Sequence, residues 1–481
     1  MTERNLFFSY VGMARANPAS AEILCLCAFL SPDAIPEEIF SAGAAHLGPV
    51  LESIAVDPPA LDDALNELLK YSLAQRDLKE QTLTLPRPVQ MMVIDEMDEE
   101  TQRLWAERCV NAVSKTLPTL DFTLWPVYER LLPQAQACIA LIERWNFSSK
   151  EASFLLNEIG LYLKERHGQL EVAEALYQRS YEIDVHESGP EHLDAMISLD
   201  NLAGLYETQG KYAEAEELLK RVREVKERRL GPEHVDTLIT LKNLAVMYER
   251  QERYTEAEEL YTQVREVRER VLGVEHPRTL KTLNNLAMVY EELGRYAEAE
   301  ALYEQVREAN ERVLGTEHPD TLTTLNNLAA LYKEQGRYEE AEALYERVRE
   351  VQERVLGAEH PSTLTTLPNL AVLYNAQGRY AEAQELYEWL REVTERVLGI
   401  EHSNTLVTFY NLAVLYEEQG KYAEAEELYL QVLAVDEKRH GPYHQKIVND
   451  LTALVELYQE QGKNEQAQPL LERIADIEKH L

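Results

Sequence analysis

The chain has 481 residues, of which 45% are hydrophobic, and its 85 acidic and 48 basic side chains give a formal net charge of −37. This length exceeds one compact domain, and the hydrophobic share is ordinary for a globular protein. The negative charge argues against nucleic-acid phosphate or an anionic membrane as the main ligand, because both would repel the protein. A basic or neutral protein partner fits better, although much of the charge can simply solvate outer helix faces.

All four cysteines lie in the first third of the chain. Cys25 and Cys27 are two residues apart in an apolar helical stretch, so they point to different faces and do not form a metal-binding pair. We predict buried free thiols in a reducing compartment at Cys25, Cys27, Cys109 and Cys138. No signal peptide is recognisable at the start, and the longest apolar run, 21–30, is too short to span a bilayer. We expect a cytoplasmic protein that does not contact the membrane.

Residues 1–118 show no internal repeat and are predicted to form a small α+β domain. Apolar periodicity and turn residues define its elements. In chain order these are helices at 19–30, 37–44 and 61–69, extended runs at 73–78 and 81–85, and a helix at 89–97. Three helices followed by a β-hairpin form the outline of a winged helix.

Four phrases occur in order across residues 15–140: AFLSPDAIPEEIF, ALNELLKYSLAQRD, LTLPRPVQMMVIDEMDEETQRLWAERCVNAV and WPVYERLLPQAQ. In this order they resemble the winged-helix module that follows the ATPase core of STAND-class signalling ATPases. The chain has no G-x-x-x-x-G-K-[ST] loop to cradle nucleotide phosphates. It also has Pro86 where family members usually carry a nucleotide-sensing histidine. Either an upstream ATPase domain precedes this sequence in the complete protein, or this relative no longer reads nucleotide.

DNA binding, another use of a winged helix, is not expected here. The candidate recognition helix carries Asp62, Asp63 and Glu67, which would face phosphates with the wrong sign. A structural role is the better interpretation. Residues 119–150 are predicted to form a connecting helix whose large apolar side chains pack against the first repeats. These side chains are Trp125, Leu131, Leu132, Ile139, Leu141 and Trp145.

From residue 189 onward the sequence repeats with a period of 42, which is typical of a stacked repeat protein. The glycines that open the units are Gly189, Gly231, Gly273, Gly315, Gly357, Gly399 and Gly441. Each unit contains two amphipathic helical periods. Gly294 is placed to end a first helix in a left-handed turn, and Gly273 and Gly315 to end second helices in the same way. Pro277 and Pro319 suit the first position of a helix.

Each unit has the order Asn-Leu-Ala-x-x-Tyr, then Gly, Tyr, Glu-Ala, Leu-Tyr and Val, which closely resembles the tetratricopeptide repeat. The 42-residue form is similar to the repeats of kinesin light chains and their bacterial counterparts. The resemblance implies a predominantly all-α fold, a right-handed α–α superhelix or solenoid, preceded by the small winged-helix-like α+β domain. We predict the winged-helix-like domain at 1–118, the connecting helix at 119–150, and about eight helical hairpins at 151–481, regular over 189–440, with capping pairs at 151–188 and 441–481.

One position of the successive first helices is always asparagine: Asn201, Asn243, Asn285, Asn327, Asn369 and Asn411. In tetratricopeptide folds the first helices line a concave groove, and this position is similar to the asparagines that hold a bound peptide's backbone. An amide both donates and accepts, and packed helices about 8–10 Å apart match about three residues of extended chain. The asparagine ladder therefore predicts binding of an extended segment. Alternatively each asparagine bonds the adjacent hairpin and fixes the stack; the two roles can coexist.

Positions around the ladder vary between repeats while core positions repeat closely, as expected of a surface that reads a non-repeating ligand. The further candidate groove residues are Lys242, Asn284, Asn326, Val246, Met288, Glu249, Glu291 and Lys333. Their mixture of apolar and acidic groups predicts a protein or peptide ligand with hydrophobic anchors and some basic residues. Pro368 lies within a first helix, where it removes a hydrogen bond and predicts a change in the shape of the groove.

Seven histidines recur with the period: His192, His234, His276, His318, His360, His402 and His444. A metal ladder is not expected, because no suitable second ligand lies near each histidine, whose place at a helix start predicts capping or inter-repeat packing. The E-x-x-E-R-V runs are predicted to be solvated outer faces. No nucleophile–base pair stands apart from the repeats, so we predict no catalytic residue, no cofactor, no metal and no enzymatic activity.

The leading hypothesis is a non-enzymatic recognition module, the ligand-sensing arm of a STAND-like signalling protein. Partner binding would then relieve autoinhibition of an ATPase that precedes this sequence or lies on another chain. A second hypothesis is a free-standing adaptor, similar to a kinesin light chain, that bridges two proteins; a third is a regulatory subunit of an enzyme. An in-frame phosphate-binding loop upstream of Met1 would favour the sensor, and a genuine start at Met1 would favour the adaptor.

Overall fold

A computed structural model of the chain describes residues 3–119 and 124–480. The chain divides into two compact units. One consists of the residues up to Tyr206 together with Glu217–Lys226, and the other of Glu207–Glu216 together with the residues from Glu227 onward.

The first part of the chain combines helices with a small antiparallel sheet of order β1-β3-β2. Its elements are α1 (Glu3–Ala16), α2 (Pro18–Cys27), β1 (Ile35–Pro36), α3 (Glu38–Ala42), a 3-10 turn (Ala44–His46), α4 (Pro49–Ala55), α5 (Pro58–Lys70), β2 (Gln75–Asp77), β3 (Thr82–Thr84), α6 (Arg87–Asp95), α7 (Glu99–Thr116) and α8 (Trp125–Trp145). The predicted helices and hairpin are present. Four elements were not predicted: α1, α4, α7 and β1, whose Ile35 pairs with Leu83 of β3.

One hydrophobic core joins α2, α5, α7, α8 and the first hairpin of the array. All six apolar side chains named for the connecting helix belong to it or pack against it, which confirms their predicted role. Tyr128 of α8 stacks on Tyr162 with ring centroids 5.3 Å apart. The part of the predicted connecting helix at residues 120–123 lies outside the described residues.

The four cysteines are buried free thiols, as predicted. Burial raises the pKa of Cys25 to about 12, and it likewise raises the pKa of the fully buried Cys27 and Cys138. Since the thiolate is the reactive form, these side chains behave as small apolar core residues.

Helical hairpins make up the rest of the described chain, which confirms the predominantly α-helical repeat fold. The hairpins are α9 (Lys150–His167) with α10 (Leu170–Ser188), α11 (Leu193–Thr208) with α12 (Tyr212–Leu230), α13 (Val235–Arg250) with α14 (Tyr254–Leu272), α15 (Pro277–Glu292) with α16 (Tyr296–Val313), α17 (Pro319–Glu334) with α18 (Tyr338–Val355), α19 (Pro361–Ala376) with α20 (Tyr380–Leu398), α21 (Ser403–Glu418) with α22 (Tyr422–His440), and α23 (Gln445–Glu460) with α24 (Asn464–Glu478).

A histidine fixes the start of every described first helix from α11 to α23, whereas Ser149 caps α9. Nδ1 of His276 accepts a hydrogen bond from the N–H of Arg278 (3.1 Å), and Pro277 takes the first helical position. The other six periodic histidines accept the equivalent bond. This confirms the predicted capping role.

Two kinds of glycine turn separate the helices. Gly294 has φ 71° and follows the end of α15, where Arg295 N–H bonds back to Tyr290 O (2.8 Å), as predicted for a left-handed helix end. Gly273 has φ 95° and ψ 159°, so the prediction that it ends its helix in the same left-handed turn is wrong. This region is accessible essentially only to glycine, because a Cβ would clash with the backbone there.

Ion pairs between hairpins supplement the apolar core. The Arg337 guanidinium lies 3.8 Å from the Tyr332 ring centroid and donates to Glu300 Oε1 of the preceding hairpin (2.8 Å). Equivalent arginines occur at Arg253, Arg295 and Arg379. On the E-x-x-E-R-V runs, predicted to be solvated outer faces, Glu311 of α16 pairs with Arg347 of the following hairpin (2.8 Å). These runs therefore help to join the hairpins as well as solvate the array.

Candidate functional site

Successive first helices pack directly on one another, α15 on α17, α17 on α19 and α19 on α21. We call the surface of these helices and α13 that carries the periodic asparagines the ladder face. Asn243, Asn285, Asn327, Asn369 and Asn411 are all half-buried there, as is Asn201 on α11. Leu286 and Ala287, next to Asn285, are fully buried. The asparagine position is thus fixed by the core and still open to a ligand.

Two further rows of side chains lie three and six positions after each asparagine, about 4.5 and 9 Å further along the helix axis. The first row contains half-buried Val246 and exposed Met288. The second row contains Glu249, Glu291 and Lys333, all half-buried. The structure therefore brings the predicted apolar and charged residues onto the same surface as the ladder.

Some ladder asparagines bond to the neighbouring hairpin. Asn369 Nδ2 donates to Asn326 Oδ1 across 3.1 Å, an arrangement we call the closed clasp. Asn201 makes a similar bond to Asn157 in the first unit (3.1 Å). These contacts give the asparagines a role in fixing the stack, and they leave fewer polar atoms there for a ligand.

One hairpin earlier, the equivalent clasp is open. Asn284 and Asn327 correspond in sequence to Asn326 and Asn369, but Asn284 Oδ1 has no hydrogen-bond donor among the described residues, although the side chain is only 8% exposed. A cavity of about 310 Å³ lies here, lined by both asparagines, Asn285 and Met288. An unpaired buried carbonyl is unfavourable by about 1–3 kcal/mol, so this junction favours a ligand that supplies an N–H.

The glutamates of the ladder face are held by buried tyrosines. Tyr303 Oη donates to Glu291 Oε2 (3.3 Å). Asn285 Nδ2 donates to Tyr261 Oη (3.3 Å), and the Tyr261 hydroxyl in turn bonds Glu249. Burial raises the pKa of Glu249 and that of Glu291 to about 7, although the tyrosine hydrogen bonds oppose the shift. Both carboxyl groups are therefore partly protonated near neutral pH.

The two lysines of the predicted groove differ in their surroundings. Burial lowers the pKa of Lys242, and the nearby charge of Lys281 lowers it further. Lys333 instead pairs with Glu334, with Nζ 2.9 Å from Oε1. Pro368 remains within α19, and its carbonyl accepts a hydrogen bond from Tyr387 Oη (3.3 Å).

Several residues that line the cavity were not predicted as site residues. They are Lys281, Asn310, Asp320, Thr323 and Thr324. Asn310 lies on the second helix α16, where the equivalent residue is Arg268 one hairpin earlier and Gln352 one hairpin later. That variation within an otherwise repeating helix was the signal that could have identified it.

The described residues contain no group of three or more histidine, cysteine, aspartate or glutamate side chains arranged to hold a metal ion. None of the described helices combines the length and apolar character needed to cross a membrane. The ladder face offers hydrogen-bonding amides, a cavity lined by polar and apolar side chains, and carboxyl groups that burial keeps partly protonated.

Two sequence families match the chain. The profile described as "Tetratricopeptide repeat" matches residues 151–228, 196–270, 236–312, 278–352, 320–396, 369–438 and 405–479, which together span more than half of the chain. The profile described as "Domain of unknown function (DUF7779)" matches residues 11–102. None of the curated proteins matches the sequence.

Solved structures with similar repeats include a Podosopora anserina protein described as a kinesin light chain, with 35% identity over 44% of this chain and 99% of that chain and a TM-score of 0.38. The chain is also similar to the apo quorum sensor NprR from B. thuringiensis, with 15% identity over 77% of this chain and 97% of that chain and a TM-score of 0.47. A STAND protein with a tetratricopeptide repeat sensor from Pyrococcus horikoshii shares 14% identity over 90% of this chain and 65% of that chain, with a TM-score of 0.43.

Proposed function

We propose that this chain, which belongs to the tetratricopeptide repeat family, binds an extended segment of a partner protein or peptide along its ladder face. The open clasp carries this proposal. A peptide group inserted between Asn284 and Asn327 can donate its N–H to the unpaired Asn284 oxygen and accept from the Asn327 amide. These contacts involve only the ligand backbone, so the neighbouring side chains of the ladder face provide the selectivity.

The spacing of the array supports an extended ligand. Packed helices lie about 8–10 Å apart, and three residues of extended chain cover about 10 Å. A segment of 12 residues therefore spans about 40 Å, or roughly four hairpins. Met288, which is 42% exposed, offers an apolar contact beside the clasp.

The proposed role is recognition without catalysis, as the ligand-sensing region of a STAND-like signalling protein. The support is the resemblance of residues 15–140 to the segment after the ATPase core of such proteins and its position directly before the repeats. The alternative is a free-standing adaptor that bridges two proteins. The proposal includes three segments of the chain: a winged-helix-like domain at 1–118, a connecting helix at 119–150 and the repeat array at 151–481. Four buried free thiols support a reducing, cytoplasmic location.

Selection from a library of random 12-residue peptides displayed on phage tests the binding proposal. We expect wild type to retain a related set of peptides and the double variant Asn284→Ala/Asn327→Ala to lose at least about tenfold in affinity, or 1.4 kcal/mol. Gln305→Ala is the matched control, because it removes an exposed amide from the second helix of the same hairpin. Equal helical content by circular dichroism must first be shown for all three proteins. Unchanged peptides and affinities in the double variant would contradict the proposal.

A further inference from the structure

Glu249 and Glu291 occupy equivalent positions of adjacent hairpins beside the open clasp. Glu291 lies seven residues after Asn284 on α15, which is two helical turns or about 10 Å. Each carboxyl group forms a hydrogen bond with a buried tyrosine of its own hairpin, Tyr261 for Glu249 and Tyr303 for Glu291. Tyr261 also accepts from Asn285, next to the clasp residue Asn284, so Glu249 is joined to the hairpin of the open clasp through this tyrosine.

Among the described residues neither carboxyl group forms an ion pair, although Lys242 and Lys333 act on them electrostatically. Glu300 and Glu342 of the second helices, in contrast, pair directly with arginines. Glu249 Oε1 is buried and accepts no hydrogen bond from the part of the chain that the structure describes. A half-buried carboxylate without a cation is unfavourable, and for this reason burial holds the pKa of both groups near 7. A cation from a ligand would supply the missing partner.

The row of acidic side chains formed by Glu249 and Glu291 extends over only two hairpins, because of the charges around it. The charged and titratable groups that act on the pair are Glu207, Lys242, Arg250, Glu292, Lys333, Glu334, Tyr261 and Tyr303. Lys242 affects Glu249, and Lys333 affects Glu291. Lys333 replaces glutamate at the equivalent position of the next hairpin, so the negative row ends there.

We propose that Glu249 and Glu291 form a subsite for a lysine or arginine side chain of the segment bound at the open clasp. This inference rests on the proposed function and adds a selectivity to it. The unpaired Asn284 oxygen, more than nine-tenths buried and lining the adjacent cavity, is the independent indication that a ligand occupies this place. The ladder asparagines hold the backbone, and the two glutamates select the charge of one side chain.

The same random 12-residue phage library tests the subsite. Peptides selected by wild type should be enriched in lysine or arginine, and the enrichment should disappear with the double variant Glu249→Gln/Glu291→Gln. The matched control is Glu417→Gln, at the equivalent position of α21, whose carboxyl group also accepts from a buried tyrosine, Tyr429 (2.9 Å), but lies beside no open clasp. A selected peptide should bind the double variant at least about tenfold more weakly, whereas its lysine-to-norleucine analogue should bind both proteins equally.

The pH dependence adds a second readout. Below pH 7 the carboxyl groups are largely protonated, so a cation binds only as a proton leaves; affinity for a basic peptide should rise between pH 6 and 8 and then level off. The norleucine analogue should show no such rise. Peptides retained through Asn284 and Asn327 but without basic enrichment, or with unchanged affinity in the glutamate variant, would overturn the subsite and leave the binding face intact. Retention of no peptide by wild type would overturn both proposals.

Discussion

A pair of buried aspartates near the end of the array gives a pH-dependent stability. Asp436 of α22 is 3% exposed and Asp450 of α23 is 7% exposed, and each has a buried carboxyl oxygen without a hydrogen-bond donor. Burial, together with the smaller effect of the Asp436 charge, raises the pKa of Asp450 to about 7. At the equivalent pair in the first unit, Ser198 Oγ instead donates to Asp184 Oδ2 (3.0 Å). We therefore choose Asp450→Ser, which reproduces a pairing already present in this chain.

The sign follows from proton linkage. Between pH 4 and 7 the folded state keeps the Asp450 proton while the unfolded chain, with its ordinary pKa of 3.8, has lost it. Stability of the last hairpin therefore falls as pH rises through this window and stays low above pH 7. This rise of the Asp450 pKa from 3.8 to about 7 corresponds to a loss of at most about 4 kcal/mol in the free energy of unfolding. The variant lacks this buried carboxyl group. Its free energy of unfolding should therefore exceed that of wild type by almost nothing at pH 4 and by about 2–4 kcal/mol at pH 8.

The assay is hydrogen exchange of the α23 and α24 amides at pH 5 and pH 8, corrected for intrinsic exchange rates. A local probe is needed because repeat arrays can unfold from their ends. The stacked His440 and His444 rings contribute the opposite trend, since burial lowers the pKa of both. They are present in both proteins, so the variant-minus-wild-type difference isolates Asp450. An equal difference in protection at the two pH values would refute this reasoning.

Two further predictions concern the backbone and the tyrosine–glutamate contacts. Gly273→Ala and Gly294→Ala both place the new methyl group in open space. Gly273→Ala should nevertheless lower the free energy of unfolding more, by about 1–3 kcal/mol against about 1 kcal/mol for Gly294→Ala, because the backbone region of Gly273 essentially excludes other residues. Urea unfolding midpoints in the opposite order would contradict this. Tyr303→Phe removes the hydroxyl that donates to Glu291 Oε2. It should raise the pKa of Glu291 above its wild-type value of about 7, as measured by carboxyl ¹³C NMR titration; a lower value would exclude this role for the hydrogen bond.

The repeat fold was predictable because glycine, proline and histidine each have a local structural reason to recur. Pro277 and His276 define a helix start without reference to distant residues. The backbone of Gly273 was not predictable in the same way, since a glycine marks a positive φ without giving the ψ that distinguishes the two turns. Strand β1 was missed because its two residues become a strand only by pairing with β3 far along the chain, Ile35 with Leu83 and Pro36 with Thr82.

At the candidate site, the face that carries each residue was predictable from the helical period, whereas the hydrogen-bond partners were not. Asn284 and Asn326 are indistinguishable by residue type and position, yet only Asn326 accepts from the next ladder asparagine. The link from Asn285 through Tyr261 to Glu249 also depends on side-chain packing between hairpins. The sequence signal for such positions is variation at one site of the repeat while its neighbours stay constant.

The closed and open clasps differ in whether a ligand must break a hydrogen bond of the chain in order to bind there. At the closed clasp Asn326 Oδ1 already accepts a hydrogen bond, so a ligand must break that bond before it can use the oxygen. At the open clasp the Asn284 oxygen is buried and unpaired, and this state is unfavourable by about 1–3 kcal/mol. A ligand that supplies an N–H removes this unfavourable state without breaking a bond within the chain. Under the proposed function, near-identical hairpins would therefore differ in affinity, and one asparagine pair rather than the repeat as a whole would set the position of a bound segment.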